Sequence, residues 1–218
     1  MNKKSTIAGV IFDLDGVIVS TDQCHYLAWK RMAEEEGIPF DKKINERLRG
    51  VSRMESLAII LEKSKKAYSA AEKEELASRK NAYYVELIGS LTRDNLLPGA
   101  QDVLALLKAK GIKAAIGSSS RNAPLILERI GLADGFDAVA DGNQISNSKP
   151  DPEVFLLAAQ LLDLLPEQCL VVEDADAGIE AALAGNMRCL GVGFAANNER
   201  ATYRALGLAE ADFEEILQ

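Results

Sequence analysis

Two aspartates separated by a single residue follow an apolar run near the beginning of the sequence. Residues 8 to 12 are rich in β-branched side chains, which predicts a buried strand that ends just before Asp13. Side chains alternate along an extended chain, so Asp13 and Asp15 share one side of it, and Gly16 lets the backbone turn away. Two carboxylates this close repel each other, which predicts a nearby metal ion or a raised pKa. The simpler alternative is an Asx turn that ends a strand.

Three later predicted strands are also followed by chemically useful residues. Ser118 to Asn122 follow the second strand, Lys149-Pro150 follow the third beyond a loop, and Glu173-Asp174 follow the fourth. In an open parallel sheet the ligand crevice lies beyond the carboxyl ends of the strands, so these groups are expected to converge on one rim. Taken singly, each also fits a helix-capping loop, a rigid turn or a pair of solvated charges. Their joint occurrence favours a catalytic site.

Carboxylates, hydroxyls and a lysine on one rim fit metal-assisted phosphoryl transfer. Asp13 is expected to attack phosphorus and form an aspartyl phosphate, while Asp15 gives a proton to the leaving oxygen and takes one from the incoming nucleophile. Ser118 and Lys149 are expected to bind the phosphoryl oxygens. Mg²⁺ prefers a few carboxylate oxygens together with phosphate and water. The expected ligands of one Mg²⁺ ion are Asp13, the backbone carbonyl of Asp15, Glu173 and Asp174.

The order of the predicted elements explains how such a rim is built. Predicted strands at residues 112–116, 136–140, 170–172 and 189–192 alternate with helices that end at residue 110 or span 122–131, 153–162 and 178–184. Strands alternating with helices imply a parallel sheet. The predicted fold class is therefore α/β, with a core made of residues 1–18 and 93–218.

Residues 19–92 are predicted to form an all-helical insertion in that core. A first helix covers residues 21–36, with Leu27, Ala28 and Met32 on one face and His25 and Trp29 on the other. Two further helices are expected to begin at capping boxes, one from Ser52 to Glu55 and the other from Ser69 to Glu72.

The composition limits the kinds of partner. The chain has 218 residues, 48% of them hydrophobic, which is enough for a full core. Its net charge of -8 provides no general positive field, so neither nucleic acid nor a membrane surface is an expected partner. The three widely spaced cysteines are expected to be reduced, buried thiols. We find no pattern typical of a signal peptide, a transmembrane helix or a subunit interface, and expect a cytoplasmic monomer.

The four strand-end motifs resemble the signature motifs of the haloacid dehalogenase superfamily. Asp13-Leu14-Asp15-Gly16, the Ser118 loop, Lys149-Pro150 and Glu173-Asp174 occur in the same order across the whole chain. The resemblance implies a Rossmannoid parallel-sheet core, Mg²⁺ as cofactor, and an inserted α-helical cap domain that closes over the substrate.

The insertion resembles one subgroup of that superfamily. Gly50-Val51-Ser52-Arg53 and Arg79-Lys80-Asn81 are similar to cap motifs of enzymes that interconvert β-glucose 1-phosphate and glucose 6-phosphate through β-glucose 1,6-bisphosphate. Arg53 would hold the phosphate that is not transferred, and His25 and Thr21 would couple cap closure to the alignment of Asp15. The sugar-phosphate contacts implied by the resemblance are Thr21, His25, Trp29, Gly50, Val51, Ser52, Arg53, Lys80, Ser120, Arg121 and Asn122.

Three functions stay open at this point. The leading one is a mutase that interconverts the two glucose phosphates, and the second is a phosphatase with the same Asp13 chemistry. The third is a catalytically silent protein that only binds phosphosugars. Arg121 stands where the family typically has lysine, and Gly117 and Ser119 stand where it often has alanine. Arginine can clamp oxygens bidentately, so these differences bear on the substrate range and leave the reaction class unchanged.

Overall fold

The computed structural model describes residues 6–48 and 51–218. The chain divides into two compact units. We call Thr92–Gln218, together with the described residues up to Ser20, the α/β unit, and Thr21–Leu91 the helical unit. The assignment of residues 1–18 with 93–218 as a catalytic domain, and of 19–92 as a cap, stays a prediction.

The α/β unit is built on a parallel sheet of six strands among the residues that the structure describes. Its spatial order is β3-β2-β1-β4-β5-β6, so the predicted α/β fold class is confirmed. The strands are β1 Gly9–Phe12, β2 Lys113–Gly117, β3 Ala138–Ala140, β4 Cys169–Glu173, β5 Arg188–Gly191 and β6 Tyr203–Arg204. The last strand was not predicted, because two residues carry no periodic signal.

The helices of the described chain follow the sequence pattern closely. They are α1 Asp22–Glu35, α2 Lys42–Glu46, α3 Arg53–Leu61, α4 Ala70–Ile88, α5 Ala100–Lys110, α6 Ala123–Arg129, α7 Glu153–Leu161, α8 Asp176–Ala184 and α9 Phe213–Ile216. Both predicted capping boxes are present, one at the start of α3 and the other at the start of α4. The short helices α2 and α9 were not predicted. Among the described residues, none of the helices combines the length and the apolar character needed to cross a membrane.

The register of the central strands brings the chemical motifs to the same level. Phe12, the last residue of β1, is paired with Ile116 of β2 and with Val172 of β4. The backbone N–H of Asp13 then donates to the Val172 carbonyl at 2.9 Å. Asp13 and Glu173 therefore leave neighbouring strands side by side, at the carboxyl edge where ligands bind in open parallel sheets.

Each unit has its own apolar core. In the α/β unit, β1 and β4 pack through Ile11 and Val171 against Phe155 and Ala158 of α7. In the helical unit, Trp29 and Met32 belong to one buried cluster. The predicted helix faces of α1 were therefore wrong in part, since Trp29 packs with Met32 while Leu27 is exposed. The 100° step between residues brings positions 29 and 32 together, and the apolar stripe includes the indole.

The expectation of buried thiols was also wrong in part. Cys169 and Cys189 are buried and free, as expected for thiols that sit in central strands. Cys24, in the first turn of α1, is only partly buried.

Candidate active site

Lys149 joins two of the predicted site carboxylates. Its Nζ donates to Asp13 Oδ1 at 2.5 Å and to Glu173 Oε2 at 2.7 Å. All three side chains are buried, and Lys149 Nζ also lies 4.5 Å from the centre of the Phe155 ring. The two carboxylates hold the pKa of Lys149 above its usual value despite burial. An ammonium fixed in this way can neutralise charge beside Asp13.

Glu173 is anchored from a second direction. Its Oε1 accepts the backbone N–H groups of Asp174 at 3.1 Å and Ala175 at 3.0 Å. The carboxylate presses against α8 at Gly178, where an added Cβ would come within 2.0 Å of it. A glycine inside a helix costs about 1 kcal/mol relative to alanine. A glycine in the helix that follows Glu173 therefore indicates close packing against this side chain, and our sequence analysis did not use that signal.

Asp13, Glu173 and Asp174 form an acidic cluster whose ligand atoms all lie within 4.8 Å of one another. Burial is the main cause that raises the pKa of Asp13 to about 7. Burial, followed by the charges of Glu173, Asp13 and Asp15, raises the pKa of Asp174 to about 9. Carboxylates that destabilise one another in this way fit a hard divalent cation such as Mg²⁺. The backbone carbonyl of Asp15 stays a prediction as a further ligand.

Asp15 sits in a tight turn beyond β1. The turn is closed by the Gly16 N–H, which donates to the Val19 carbonyl at 2.7 Å. Gly16 adopts a φ of +86°, and an added Cβ would come within 2.2 Å of the Asp174 carboxylate. The glycine therefore serves both the turn and the close approach of Asp174. Asp15 is less buried than Asp13, so the two aspartates have distinct surroundings.

The loop after β2 is ordered by its own serines. Ser118 is buried, its N–H donates to the Ala140 carbonyl at 3.0 Å, and its Oγ accepts the Ser120 N–H at 3.2 Å. Ser120 Oγ in turn accepts the N–H of Asn122 at 3.2 Å. Asn122 occupies the N-cap position of α6, as predicted, but its side chain makes no capping hydrogen bond.

Arg121 is held at the far end of the same loop. Its Nε donates to the Gly142 carbonyl at 3.2 Å, and its own carbonyl accepts from Asn143 Nδ2 at 3.0 Å. The Arg121 side chain is therefore oriented by the loop that follows β3. This contact fixes the base of the guanidinium group at the predicted substrate rim.

The loop that carries Lys149 is held by Glu153, which we did not predict. The carboxylate of Glu153 accepts the N–H of Ser146 at 2.9 Å and the N–H of Asn147 at 2.7 Å. These backbone donors hold the pKa of Glu153 below its usual value. Ser119 Oγ accepts the Lys149 N–H at 3.5 Å from the other side. An acid in the first turn of a helix ordinarily indicates only favourable helix-dipole chemistry, so its sequence position gave no signal of this contact.

Four predicted residues of the helical unit lie together. Lys80 Nζ is 2.9 Å from His25 Nδ1 and 4.8 Å from the centre of the Trp29 ring. Burial is the first cause, and the charges of Lys80 and Arg53 the next, that hold the pKa of His25 well below its usual value. Thr21 is buried at the N-cap of α1. Thr21, His25, Trp29 and Lys80 thus form a single cluster between α1 and α4.

The remaining predicted cap residues lie at the start of α3. Ser52 is the N-cap, where its Oγ accepts the Glu55 N–H at 3.3 Å and its N–H donates to Glu55 Oε2 at 2.9 Å. Arg53 is the first residue of the helix, and Val51 is exposed just before it. Gly50 lies outside the described residues.

Residues 7–186 match the family model of the haloacid dehalogenase-like hydrolases. The chain belongs to this family. The family predicted from the four strand-end motifs is therefore confirmed.

Individual relatives fall into two kinds. The chain is 50% identical over 186 residues to the β-phosphoglucomutase of Bacillus subtilis (strain 168), a match that covers 84% of this chain and 82% of the relative. It is 36% identical over 214 residues to the phosphorylated carbohydrates phosphatase of Thermotoga maritima, covering 95% of each chain. Among solved structures, the β-phosphoglucomutase of Clostridium difficile has a TM-score of 0.89 at 43% identity, and the match covers 96% of this chain and 95% of the other.

Proposed function

We propose that this chain is a β-phosphoglucomutase that interconverts β-glucose 1-phosphate and glucose 6-phosphate. The observation that carries the proposal is the 50% identity to the B. subtilis enzyme over 84% of the chain. The buried Asp13, Lys149, Glu173 and Asp174 arrangement supplies the groups that this chemistry needs. A protein that only binds phosphosugars would have no use for a buried nucleophile held by a lysine.

In the first half-reaction the phosphoryl group on Asp13 passes to O6 of β-glucose 1-phosphate. The bond between phosphorus and the Asp13 oxygen breaks, the bond to O6 forms, and the O6 proton goes to Asp15. The product is β-glucose 1,6-bisphosphate, which turns round in the site. In the second half-reaction Asp13 attacks the phosphorus at O1, and Asp15 returns the proton to O1 as glucose 6-phosphate leaves.

Charge on the phosphoryl oxygens is balanced by groups around Asp13. Lys149 Nζ and the Ser118 hydroxyl are proposed to donate to these oxygens. Asp13, Glu173, Asp174 and the Asp15 backbone carbonyl are proposed to hold one Mg²⁺, which when bound neutralises oxygen charge during transfer. The short distances within the cluster and the raised pKa values of Asp13 and Asp174 support this assignment.

The sugar and its second phosphate are proposed to contact both units. The predicted contacts are Thr21, His25, Trp29, Gly50, Val51, Ser52, Arg53 and Lys80 from the helical unit and Ser120, Arg121 and Asn122 from the α/β unit. Arg53 supplies the charge for the phosphate that is not transferred, and Lys80 reaches the sugar. Water must be kept from the aspartyl phosphate, so we propose that the helical unit acts as the cap. We further propose that the protein is a cytoplasmic monomer.

A sugar-phosphate phosphatase is the alternative function. The T. maritima relative, which matches over 95% of this chain, is a phosphatase of phosphorylated carbohydrates. Both reactions begin with the same aspartyl phosphate and differ in whether a sugar hydroxyl or water receives the phosphoryl group.

The dependence on the bisphosphate tests the proposal. A mutase that starts without a phosphoryl group on Asp13 needs a donor, so formation of glucose 6-phosphate from β-glucose 1-phosphate should show a lag. A trace of β-glucose 1,6-bisphosphate should remove the lag, as followed by an assay coupled to oxidation of glucose 6-phosphate. If no glucose 6-phosphate forms with the bisphosphate and Mg²⁺ present, the mutase assignment is wrong.

A further inference from the structure

Tyr84 of α4 contacts three of the cap residues that the proposed function assigns to the substrate. Its hydroxyl lies 2.9 Å from Thr21 Oγ1, and its ring centre lies 4.1 Å from that of His25. Lys80 Nζ lies 4.5 Å from the centre of the same ring. Tyr84 is itself buried, with 1% of its surface exposed.

The helical spacing explains why these residues meet. Thr21, His25 and Trp29 follow one another at intervals of four residues along α1, and Lys80 and Tyr84 have the same interval on α4. Positions four apart lie on one face of a helix, so the two stripes face each other in the contact between α1 and α4. Tyr84, like Lys80, contacts residues of both stripes.

The hydroxyl and the ring of Tyr84 have separate contacts. A buried tyrosine hydroxyl needs a partner, and Tyr84 pairs with Thr21. Thr21 is the N-cap of α1, yet its side chain makes no capping hydrogen bond, although a threonine at this position usually caps its helix. The Thr21 hydroxyl is thus turned towards Tyr84 and away from the helix end.

The ring of Tyr84 and that of Trp29 flank the Lys80 ammonium. A cation over the face of an aromatic ring is attracted by it, and the attraction is larger when water is excluded. Lys80 is 2% exposed, so both rings act on a desolvated group. An ammonium has donors only, which makes His25 Nδ1 the acceptor and leaves the proton of the neutral imidazole on Nε2. The ring of Tyr84 supports both partners of this hydrogen bond.

We propose that Tyr84 is a positioning residue for the phosphosugar reaction, whose ring orients Lys80 and His25 and whose hydroxyl orients Thr21. This inference rests on the proposed function for the role of those three residues. It assigns to Tyr84 no contact with the sugar, so changes at Tyr84 act on kcat/KM through the residues that it holds.

Two substitutions separate the contributions of the ring and the hydroxyl. Tyr84→Phe keeps the ring and removes the hydroxyl, whereas Tyr84→Leu removes both. Tyr83→Phe is the matched control, because the adjacent Tyr83 hydroxyl donates to the exposed carboxylate of Glu35, at 2.8 and 2.9 Å, on the same pair of helices. The control should keep the wild-type kcat/KM.

The first measurement uses the ring nitrogens of His25, the single histidine of the chain. Nitrogen-15 NMR should show wild-type protein, Tyr83→Phe and Tyr84→Phe as the Nε2-protonated form. In Tyr84→Leu the His25 signals should shift or average between the two tautomers, because the ring beside His25 and Lys80 is gone. An unchanged His25 spectrum in Tyr84→Leu would overturn the role of the ring.

The second measurement is a double-mutant cycle between Tyr84→Phe and Thr21→Val. Each single change should lower kcat/KM about fivefold, the scale of one hydrogen bond, and the double variant should be no slower than the worse single variant. Losses that multiply in the double variant would overturn the pairing. If Tyr84→Leu does not fold, this cycle decides the role of the hydroxyl, and a His25 spectrum that changes in Tyr84→Phe would contradict the assignment of His25 to the ring.

The proposed function and the role of Tyr84 can be overturned separately. Stoichiometric phosphate release by the wild-type protein would overturn the mutase assignment. The double-mutant cycle would then be measured on that hydrolysis. Wild-type kinetics in Tyr84→Phe and Tyr84→Leu, with mutase activity intact, would overturn the role of Tyr84 and leave the mutase standing.

Discussion

Asp13 and Asp15 differ in their surroundings although they are two positions apart. Asp13 is 8% exposed and accepts a hydrogen bond from Lys149, whereas Asp15 lies in the turn beyond the strand and is less buried. A nucleophile must be held in line with phosphorus, while a proton-transfer group must reach the sugar oxygen. The two environments match the two proposed roles.

At the residue scale, Asp15→Asn tests the proton-transfer role. The amide keeps the size of the side chain and cannot exchange the proton, so kcat should fall by about 10² to 10⁴, with little change in thermal stability. Steady-state kinetics on β-glucose 1-phosphate measure this loss. Asp163→Asn is the matched control, since asparagine also tolerates the φ of 55° found there. A loss below tenfold for Asp15→Asn would remove Asp15 from its role.

Single site residues could be predicted where they follow the end of a predicted strand. Asp13, Lys149, Glu173 and Asp174 could be grouped because parallel strands deliver their following residues to one edge. Tyr84 and Glu153 could not, because their importance depends on contacts across helices and loops that have no fixed spacing in sequence.

At the scale of elements, α8 is fitted to the acidic cluster by Gly178. Gly178→Ala places a methyl group within 2.0 Å of the Glu173 carboxylate, which has to move. We expect the affinity for Mg²⁺, measured by calorimetry, to fall about 10- to 100-fold, as is usual when the support of a metal ligand is lost.

Gly185→Ala, at the C-cap of the same helix, provides the control for this change. An added Cβ at Gly185 would meet its nearest atoms at 3.4 to 3.5 Å, which is ordinary contact. Its affinity for Mg²⁺ should match that of the wild type. Equal affinities for Gly178→Ala and Gly185→Ala would show that Glu173 is not confined by α8.

The capping box of α4 makes the stability of the folded protein depend on pH. Backbone and side-chain hydrogen bonds from Ser69, with the Lys66 contact, lower the pKa of Glu72 to about 2 from its ordinary 4.5. A lowered folded-state pKa gives stability that is complete above the unfolded pKa and is lost as the pH falls towards 2. The difference in melting temperature between wild type and Glu72→Gln should therefore shrink from pH 5 to about 2.

Exposed Glu74 on the same helix provides the control for the pH experiment. At pH 5, Glu74→Gln should differ less from wild type than Glu72→Gln does, because Glu74 is outside the capping box. A difference in melting temperature between wild type and Glu72→Gln that stays constant between pH 5 and about 2 would contradict the role of Glu72 in the capping box.

Elements were predictable to the extent that their signals are local. Capping boxes and the glycine stop at Gly111 mark α3, α4 and the end of α5 within a residue or two. Tertiary pairing decides β6, so that strand did not follow from a local pattern. The helical period of α1, in contrast, already places Trp29 beside Met32.

At the scale of the whole molecule, Mg²⁺ should stabilise the folded chain. Binding at about 100 times the dissociation constant contributes about 2.7 kcal/mol, or about 5 to 10 °C in melting temperature. Asp174→Asn should abolish this shift without lowering the melting temperature of the metal-free protein, since burial and neighbouring carboxylates already disfavour the charge of Asp174. An equal Mg²⁺ shift in wild type and Asp174→Asn would place the ion elsewhere.

In the proposed mutase, Asp13 passes its phosphoryl group to a sugar hydroxyl and not to water. Phosphorus NMR can follow β-glucose 1-phosphate with Mg²⁺ and a trace of β-glucose 1,6-bisphosphate, with Asp13→Asn as the inactive control that still binds the sugar phosphate. We expect conversion to glucose 6-phosphate without net inorganic phosphate. Inorganic phosphate released in step with substrate loss would contradict it.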